Sequence, residues 1–442
     1  MRKVAFFLVL TFVVYIAATY FLGGQARQQY FAFLAELNAS EVVKVSNISY
    51  QQGLFYSKAK TFLEFAPSLH FIGHGQTLIL DHDFIHGPWP VNPGQDLLST
   101  HPMLAMVITK IGESTEKQGA IPVSFGLERA TSTWEIPFIG PVLGNLSVPL
   151  VEWEEDRGKV GLHGCQADLV YDYKNSTIQL QVDLNQIRIA SQADEFVLEG
   201  VHGDAFLGDT EAPFLNSQVS LDIASLRARA MHGPFILENI HLNLEGYTHE
   251  TLVHIAQGTH IQKIIVNNEV YGPLQWDLSL RNIHCQVLET FAQHVVDAQN
   301  NKLLEYSSDM TRTLLAHNPQ VHLSRLQLVT PDGDLTATFQ GQVHPPAPWA
   351  WVSPFLLLAY VDLLGEIRAH EPLVQKMYRQ WAKKQPGWMG DEDLSVLKRQ
   401  YRDQLATLTK RNLIVQEGDE LTSVLSYKKG QLQINGYSVS WF

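Results

Sequence analysis

Through much of the chain beyond residue 170, apolar and polar residues alternate at every second position. Ile178, Leu180, Val182 and Leu184 do so, as do Val219, Leu221 and Ile223, then Ile240, Leu242 and Leu244, then Leu274, Trp276, Leu278 and Leu280. A period of two puts these side chains on one side of an extended backbone, so each segment predicts a strand with a single buried face. Leu323, Leu326 and Leu328 continue the pattern around a shift of phase. Turn chemistry separates the segments, as at Lys174-Asn175-Ser176, Gly246 and Pro331-Asp332-Gly333, with a spacing that suits an antiparallel meander.

Two stretches change period. Leu288, Phe291, Val295, Leu303, Leu304, Met310, Leu314 and Leu315 recur at helical spacing until Asn318-Pro319, which predicts one or two helices near 286–316. From Pro354 to Arg411, the runs LVQKMYRQWAKK and LSVLKRQYRDQLATLTKR predict a helical pair over 354–411, joined at Pro386-Gly387. Leu421 to Ser440 returns to strands. The expected fold is mainly β with helices (α+β): an elongated, twisted antiparallel β-sheet, partly covered by helical segments, in one domain over 25–442.

The start of the chain has no period at all. Val4 to Leu22 reads VAFFLVLTFVVYIAATYFL without a charge, long enough as a helix to cross a hydrocarbon layer of about 30 Å. This predicts an N-terminal transmembrane helix, a membrane anchor over 1–24. Arg2 and Lys3 before it keep the N-terminus on the cytoplasmic side and send the rest of the chain across. The length of the run favours a retained single-pass anchor over a cleaved signal peptide. Gln25 to Asn38 spaces Tyr30, Phe31, Leu34 and Leu37 as a short amphipathic helix leading away from the membrane. A second apolar run, Ala350 to Val361, is broken by Pro354, is too short to span, and reads either as the buried face of a helix or as an interfacial segment lying against the bilayer.

Charge and chemistry narrow the function classes. With 32 basic against 45 acidic residues the net charge is -13, which opposes binding to a phosphate backbone, so no nucleic acid partner is expected. Cys165 and Cys285 are the two cysteines. They exclude a disulfide framework or a cysteine-rich metal site, and read either as one bond or as two packed thiols. In DHDFIHGPWP, Asp81 to Pro90, His82 and His86 stand four apart. On a helix that spacing would aim both rings at one metal; on a strand they share a face but lie about 13 Å apart. Leu78 and Leu80 alternate upstream and Gly87-Pro88 follows, so a strand running into a turn is expected and no metal site. The triplet recurs as His232-Gly233-Pro234 and as Tyr271-Gly272-Pro273, a turn before a new strand. HETLVH, His249 to His254, is one residue too long for a zinc-protease helix and reads as exposed polar surface. Glu152, Glu154, Glu155 and Asp156 around Trp153 read as a charged hairpin, though paired carboxylates could serve acid-base work. No GxSxG elbow or phosphate-binding loop occurs, and Gly23-Gly24 has no strand before it. Catalytic, cofactor-binding and metal residues are therefore expected to be none.

Several short motifs, taken in order, resemble a known family. The apolar start, Tyr50-Gln-Gln-Gly53-Leu-Phe55-Tyr-Ser57, the His86-Gly87-Pro88 turn, Asn318-Pro319 leading to Thr330-Pro331-Asp-Gly333, and the ending Gly430-Gln-Leu-Gln-Ile-Asn435-Gly436 look like the YdgA and YihF-like proteins of Gram-negative bacteria. The resemblance implies a protein anchored in the inner membrane with its bulk in the periplasm, in a family classed as a domain of unknown function. It implies no catalytic residues. The expected role is a non-enzymatic binding or scaffold protein whose apolar sheet face takes a lipid, a hydrophobic polypeptide or a second copy of the chain. At the level of architecture this is similar to AsmA-like periplasmic proteins. The alternatives are a scaffold whose groove is plugged by its own helices, and a glycan or cell-wall hydrolase.

Overall fold

The computed structural model describes residues 2–39, 43–65, 77–89, 102–112, 129–155, 158–191, 194–208, 216–230, 233–288, 307–347, 350–351, 354–383 and 394–439. They form two compact units, Met1–Glu211 and Ala212–Phe442, each dominated by antiparallel strands.

In the first unit a long helix, α1 (Arg2–Ala39), precedes β1 (Val43–Gln52), β2 (Tyr56–Phe65), β3 (Thr77–His86), β4 (Met103–Ile111), β5 (Thr131–Pro137), β6 (Val142–Glu155), β7 (Gly158–Asp172), β8 (Thr177–Ala190) and β9 (Glu195–Leu207). Each strand pairs antiparallel with the next, so this unit is a pure meander. The turn between β7 and β8 shows why it closes where it does. The Asp172 carboxylate accepts from the Lys174 backbone at 2.9 Å and from Asn175 Nδ2 at 2.7 Å, and Ser176 takes a φ of 51°, a side-chain-stabilised turn.

The second unit runs β10 (Ser217–Ala230), β11 (Gly233–His249), β12 (Leu252–Val266), β13 (Glu269–Tyr271) and β14 (Leu274–His284), then helix α2 (Ser307–Ala316), then β15 (Gln320–Thr330), β16 (Gly333–Val343) and β17 (Val361–His370). Helices α3 (Glu371–Lys383) and α4 (Leu394–Lys410) follow, then β18 (Val415–Glu417), β19 (Glu420–Lys428), β20 (Gln431–Ile434) and β21 (Tyr437–Val439). The predicted strands all form. The phase shift among Leu323, Leu326 and Leu328 is a register shift where β15 pairs with β16, the signature of an extra residue bulging from one strand. Helix α3 packs on β16 and β17, and α4 packs on α3. Tyr401 and Leu405 of α4 share a buried core with Leu421 of β19, flanked by Val374 and Tyr378.

A repeat is visible once the strands are placed. Leu198-Glu199-Gly200-Val201-His202 in β9 and Leu237-Glu238-Asn239-Ile240-His241 in β11 occupy equivalent positions. Each histidine faces an aspartate 19 residues earlier, His202 with Asp183 and His241 with Asp222, both at 2.7 Å. The residue two before each histidine is left-handed within its strand, Gly200 at φ 61° and Asn239 at φ 52°. Glycine and asparagine tolerate that conformation, which sharpens the local twist.

Two expectations need correction, and two others rest partly on residues outside those described. The anchor and the amphipathic helix after it are one continuous helix, α1, with Gly23-Gly24 inside it. A Cβ at Gly23 would stand 3.1 Å from His86 Nε2, so this glycine allows a close approach and does not end the helix. Among the described residues no helix is long and apolar enough to cross a membrane; the side chains of residues 2–10 and 12 lie outside those described. The helical pair expected over 354–411 begins later than Pro354. Pro354–Leu357 is a single turn followed by a 3-10 turn, and Val361–His370 is a central strand between β16 and β19. There Val361, Leu363, Ile367 and Ala369 alternate with Asp362, Glu366 and Arg368, a period of two hidden by helix-like composition. Of the helices expected over 286–316, α2 is described, while 289–306 lies outside the described residues.

Candidate functional site

The motif DHDFIH occupies β3, and its alternation sorts the acids from the histidines. On one face Asp81 Oδ1 meets Lys60 Nζ at 3.0 Å and Asp83 Oδ1 meets Lys58 Nζ at 3.9 Å, with all four side chains open to solvent. On the other, His82, Phe84 and His86 point toward α1. Register places Ser57, Ala59 and Thr61 of β2 and Ala105, Val107 and Thr109 of β4 on that same face. Small and polar residues there let the helix approach, and Tyr30 and Leu34 of α1 bury themselves against Val45, Ala59 and Phe84.

A chain of hydrogen bonds runs through this contact. The Tyr30 hydroxyl donates to Asn47 Oδ1 at 3.1 Å and lies 2.8 Å from Thr61 Oγ1. Thr61 Oγ1 is 2.8 Å from His82 Nε2, and His82 Nδ1 is 2.8 Å from Thr109 Oγ1. Each hydroxyl has one proton, so the first bond fixes the rest. Tyr30 spends its proton on Asn47, Thr61 donates to Tyr30, His82 Nε2 donates to Thr61, and Thr109 donates to Nδ1. The imidazole is therefore the neutral Nε2–H tautomer. Burial pushes its pKa down to about 4 against the opposing pull of Asp81 and Asp83. Burial also raises the Tyr30 phenol and lowers His86.

His86 and Ser57 form the one pairing that looks like a nucleophile and its base, with Nε2 2.8 Å from Oγ. Both are almost fully buried, at 2% and 1% exposure, so no substrate reaches the hydroxyl. His86 Nδ1 has no hydrogen-bond partner among the described residues, whereas a catalytic histidine is oriented through that nitrogen. The pair fixes the helix and the turn that follows. The turn itself is tight: Gly87 N donates to the Leu104 carbonyl at 2.9 Å and Met103 N to the Pro88 carbonyl at 3.0 Å.

The sheet changes character away from α1, which packs on β1, β3 and β4. Leu146 of β6, Ala167 and Leu169 of β7, and Leu180, Val182 and Leu184 of β8 share one face across three strands. None of the six is fully buried, and Leu146 is 40% exposed. No described helix makes a substantial contact with β5 to β9. The reverse face carries Gln179, Gln181, Asp183 and Asn185, all exposed. This apolar face is the candidate functional surface.

The other sequence candidates are scattered. His249 and His254 flank the β11–β12 turn, with His254 stacked on Tyr247 at 4.7 Å. Glu152 lies 4.0 Å from His163; the side chains of Trp153, Glu154 and Glu155, and all of Asp156, lie outside the described residues. Cys165 and Cys285 are free and half-buried, and burial pushes the Cys165 thiol up. Among the described residues no three His, Cys, Asp or Glu side chains converge as a metal site would require. The sequence reading missed the hydroxyl-imidazole chain; the signal was Ser57, Ala59 and Thr61 alternating on one strand, small residues where a large helix must fit.

A model of a bacterial protein family of unknown function, DUF945, matches residues 1–441. The chain belongs to this family. The DUF945 match spans α1 and both strand units, so it takes the helix and the meander together. No curated protein and no solved structure matches the chain.

Proposed function

We propose that this DUF945 protein is a non-enzymatic envelope protein that binds a hydrophobic guest, a lipid tail, an apolar polypeptide segment or a second copy of itself, on the apolar face of β6 to β8. The observation that carries this reading is the half-exposed row of Leu146, Ala167, Leu169, Leu180, Val182 and Leu184, on which no described helix packs. Apolar area left in water costs about 25 cal/mol per Å², so a few hundred Å² of such surface favours a partner by several kcal/mol. The same reading places the apolar start of α1 in the inner membrane as a single-pass anchor, with the strand units in the periplasm, as in the YdgA and YihF-like proteins. Support for it comes from Val4 to Leu22, which lacks any charge, and from Arg2 and Lys3 before it.

Photoreactive residues at Leu146 and Leu180 test the guest. With protein prepared from envelopes, crosslinks to lipid, polypeptide or a second copy at both positions are expected, and native mass spectrometry should show the same adduct. Ligand-free monomer without crosslinks at either position would leave the scaffold plugged by its own helices, a reading that α3 on β16 and β17 favours in the second unit. A periplasm-active reporter fused after Phe442 tests the anchor; an inactive reporter, or a shortened soluble product, contradicts it.

A further inference from the structure

We propose that the apolar end of β1 to β3, formed by Leu54, Phe55 and Tyr56 at the β1–β2 turn and by Trp89 after β3, is seated in bilayer lipid beside α1. The proposed contact rests on the reading of α1 as a membrane anchor and gives the strands a lipid contact of their own. Its occupant is the lipid of the membrane boundary that lies away from Arg2 and Lys3.

Two observations point there independently. The first is distance along α1. At about 1.5 Å per residue, Tyr15 stands roughly 18 Å from Lys3, so a hydrocarbon layer of about 30 Å that starts at Lys3 ends near Gly23. The strands meet the helix before that level. Tyr15 stacks on Phe55 with ring centroids 6.3 Å apart, and its hydroxyl donates to the Trp89 carbonyl at 3.3 Å. Thr19 and Leu22 are buried, and Gly23 lies against His86. An end that touches Tyr15 therefore stays in water only if Val4 to Val14 cross alone, and that run covers about 16 Å, roughly half the layer. Tilting the helix shortens its reach across the layer and draws the end deeper.

The second is composition. Leu54, Phe55, Tyr56 and Trp89 are between 38% and 51% exposed, and Tyr20 and Phe21 on the open side of α1 are 64% exposed. Tyrosine and tryptophan, with an apolar body and a polar tip, suit a membrane boundary. Polar residues then begin at one level on both elements. Gln51, Gln52 and Lys58 beside the turn and Gln25 and Arg27 on α1 are exposed, with the Arg27 guanidinium 5.8 Å from the Tyr50 ring centre. Lys58 Nζ lies 5.4 Å from the Tyr56 ring centre, so its stem covers the ring while its charge reaches the headgroups. Lipid offers the backbone no partner, and here the Phe55 carbonyl accepts from His86 N at 2.9 Å.

Quenching by membrane-borne nitroxides in the full chain tests this. In a Cys165→Ser/Cys285→Ser background, an environment-sensitive nitrobenzoxadiazole label is attached through Leu54→Cys, Trp89→Cys or Lys174→Cys, the last an exposed site in the β7–β8 turn. The vesicles are phosphatidylethanolamine and phosphatidylglycerol, with nitroxides on a fraction of the acyl chains. Emission from the labels at 54 and 89 should fall at least twofold and shift to the blue, while emission from the label at 174 stays unchanged. Extraction with alkaline carbonate tests the anchor separately. A chain that resists extraction but shows no quenching at either 54 or 89 overturns the lipid contact and leaves the anchor standing. A chain that is extracted and unquenched overturns both. Should a labelled chain fail to fold, the unmodified chain in vesicles of a diazirine-tailed phosphatidylcholine gives the same reading: adducts on Leu54 to Tyr56 and on Trp89 support the contact, and adducts confined to α1 overturn it.

Discussion

Thr61 links three side chains through a single oxygen. Replacing it with Val keeps the shape and leaves the His82 Nε2–H without an acceptor and Tyr30 without its donor, so Thr61→Val should lose about 1–3 kcal/mol of stability, read as a lower urea midpoint with an unchanged slope. His82 adds a pH dependence. Its pKa is about 4 in the folded chain against the usual 6.5, so the unfolded chain takes the proton first. The stability it contributes is complete above pH 6.5 and is lost progressively as pH falls from there toward 4, on the order of 2 kcal/mol after allowing for its partial exposure. His82→Asn should flatten that part of the unfolding curve between pH 7 and 4; an unchanged slope would show that the ring does not carry it. At Gly87 the constraint is steric. A Cβ would fall 1.7 Å from the Met103 carbonyl oxygen, so Gly87→Ala should lower the melting temperature at least as much as His86→Ala, and the reverse order would count against the tight turn. The strand and turn at DHDFIHGP are legible in sequence because Leu78 and Leu80 set a period and Gly-Pro ends it. The hydroxyl chain is not, because it depends on which strands become neighbours.

At the scale of elements, α1 is fastened to β1 at its far end as well as along its face. The Asn38 side chain bonds Val45 twice, accepting from its N–H and donating to its carbonyl, both at 2.6 Å. Asn38→Ala should therefore loosen the helix locally, speeding amide exchange at Val45 and through the last turns of α1 while β14 to β17 keep their protection. The left-handed residues within strands make a second test. Asn239→Val places a β-branched residue at positive φ in β11, which costs about 1–2 kcal/mol, whereas Asn239→Gly, which adopts that conformation freely, should cost far less. Element type was readable where a period ran for six residues or more, as in β8 and β14. It failed at β17 because VDLLGEIRAH carries the charges and leucines of a helix, and one deciding neighbour, β19, follows only after two helices. It also failed at Gly23-Gly24, where two helix-weakening residues are kept by contact with His86.

At the scale of the molecule, the sequence made the one-sided strands visible but not which of them would be covered. Val45 and Val182 look alike in a hydropathy plot; one is buried beneath α1 and the other lies on a face without a described helix. If that face takes a guest, Leu180→Asp with Val182→Asp should abolish guest retention in native mass spectra while leaving the far-UV spectrum of the strands in place. Equal retention would move the guest elsewhere. The meander has a further consequence, which concerns how the chain is delivered. In the first unit every strand pairs with the strand made just before it, so contacts are local in sequence. A chain emerging N-terminus first can therefore zip each hairpin onto the growing edge as it appears, without waiting for distant segments. Only the newest strand is ever unpaired, and the order of synthesis is also the order of assembly.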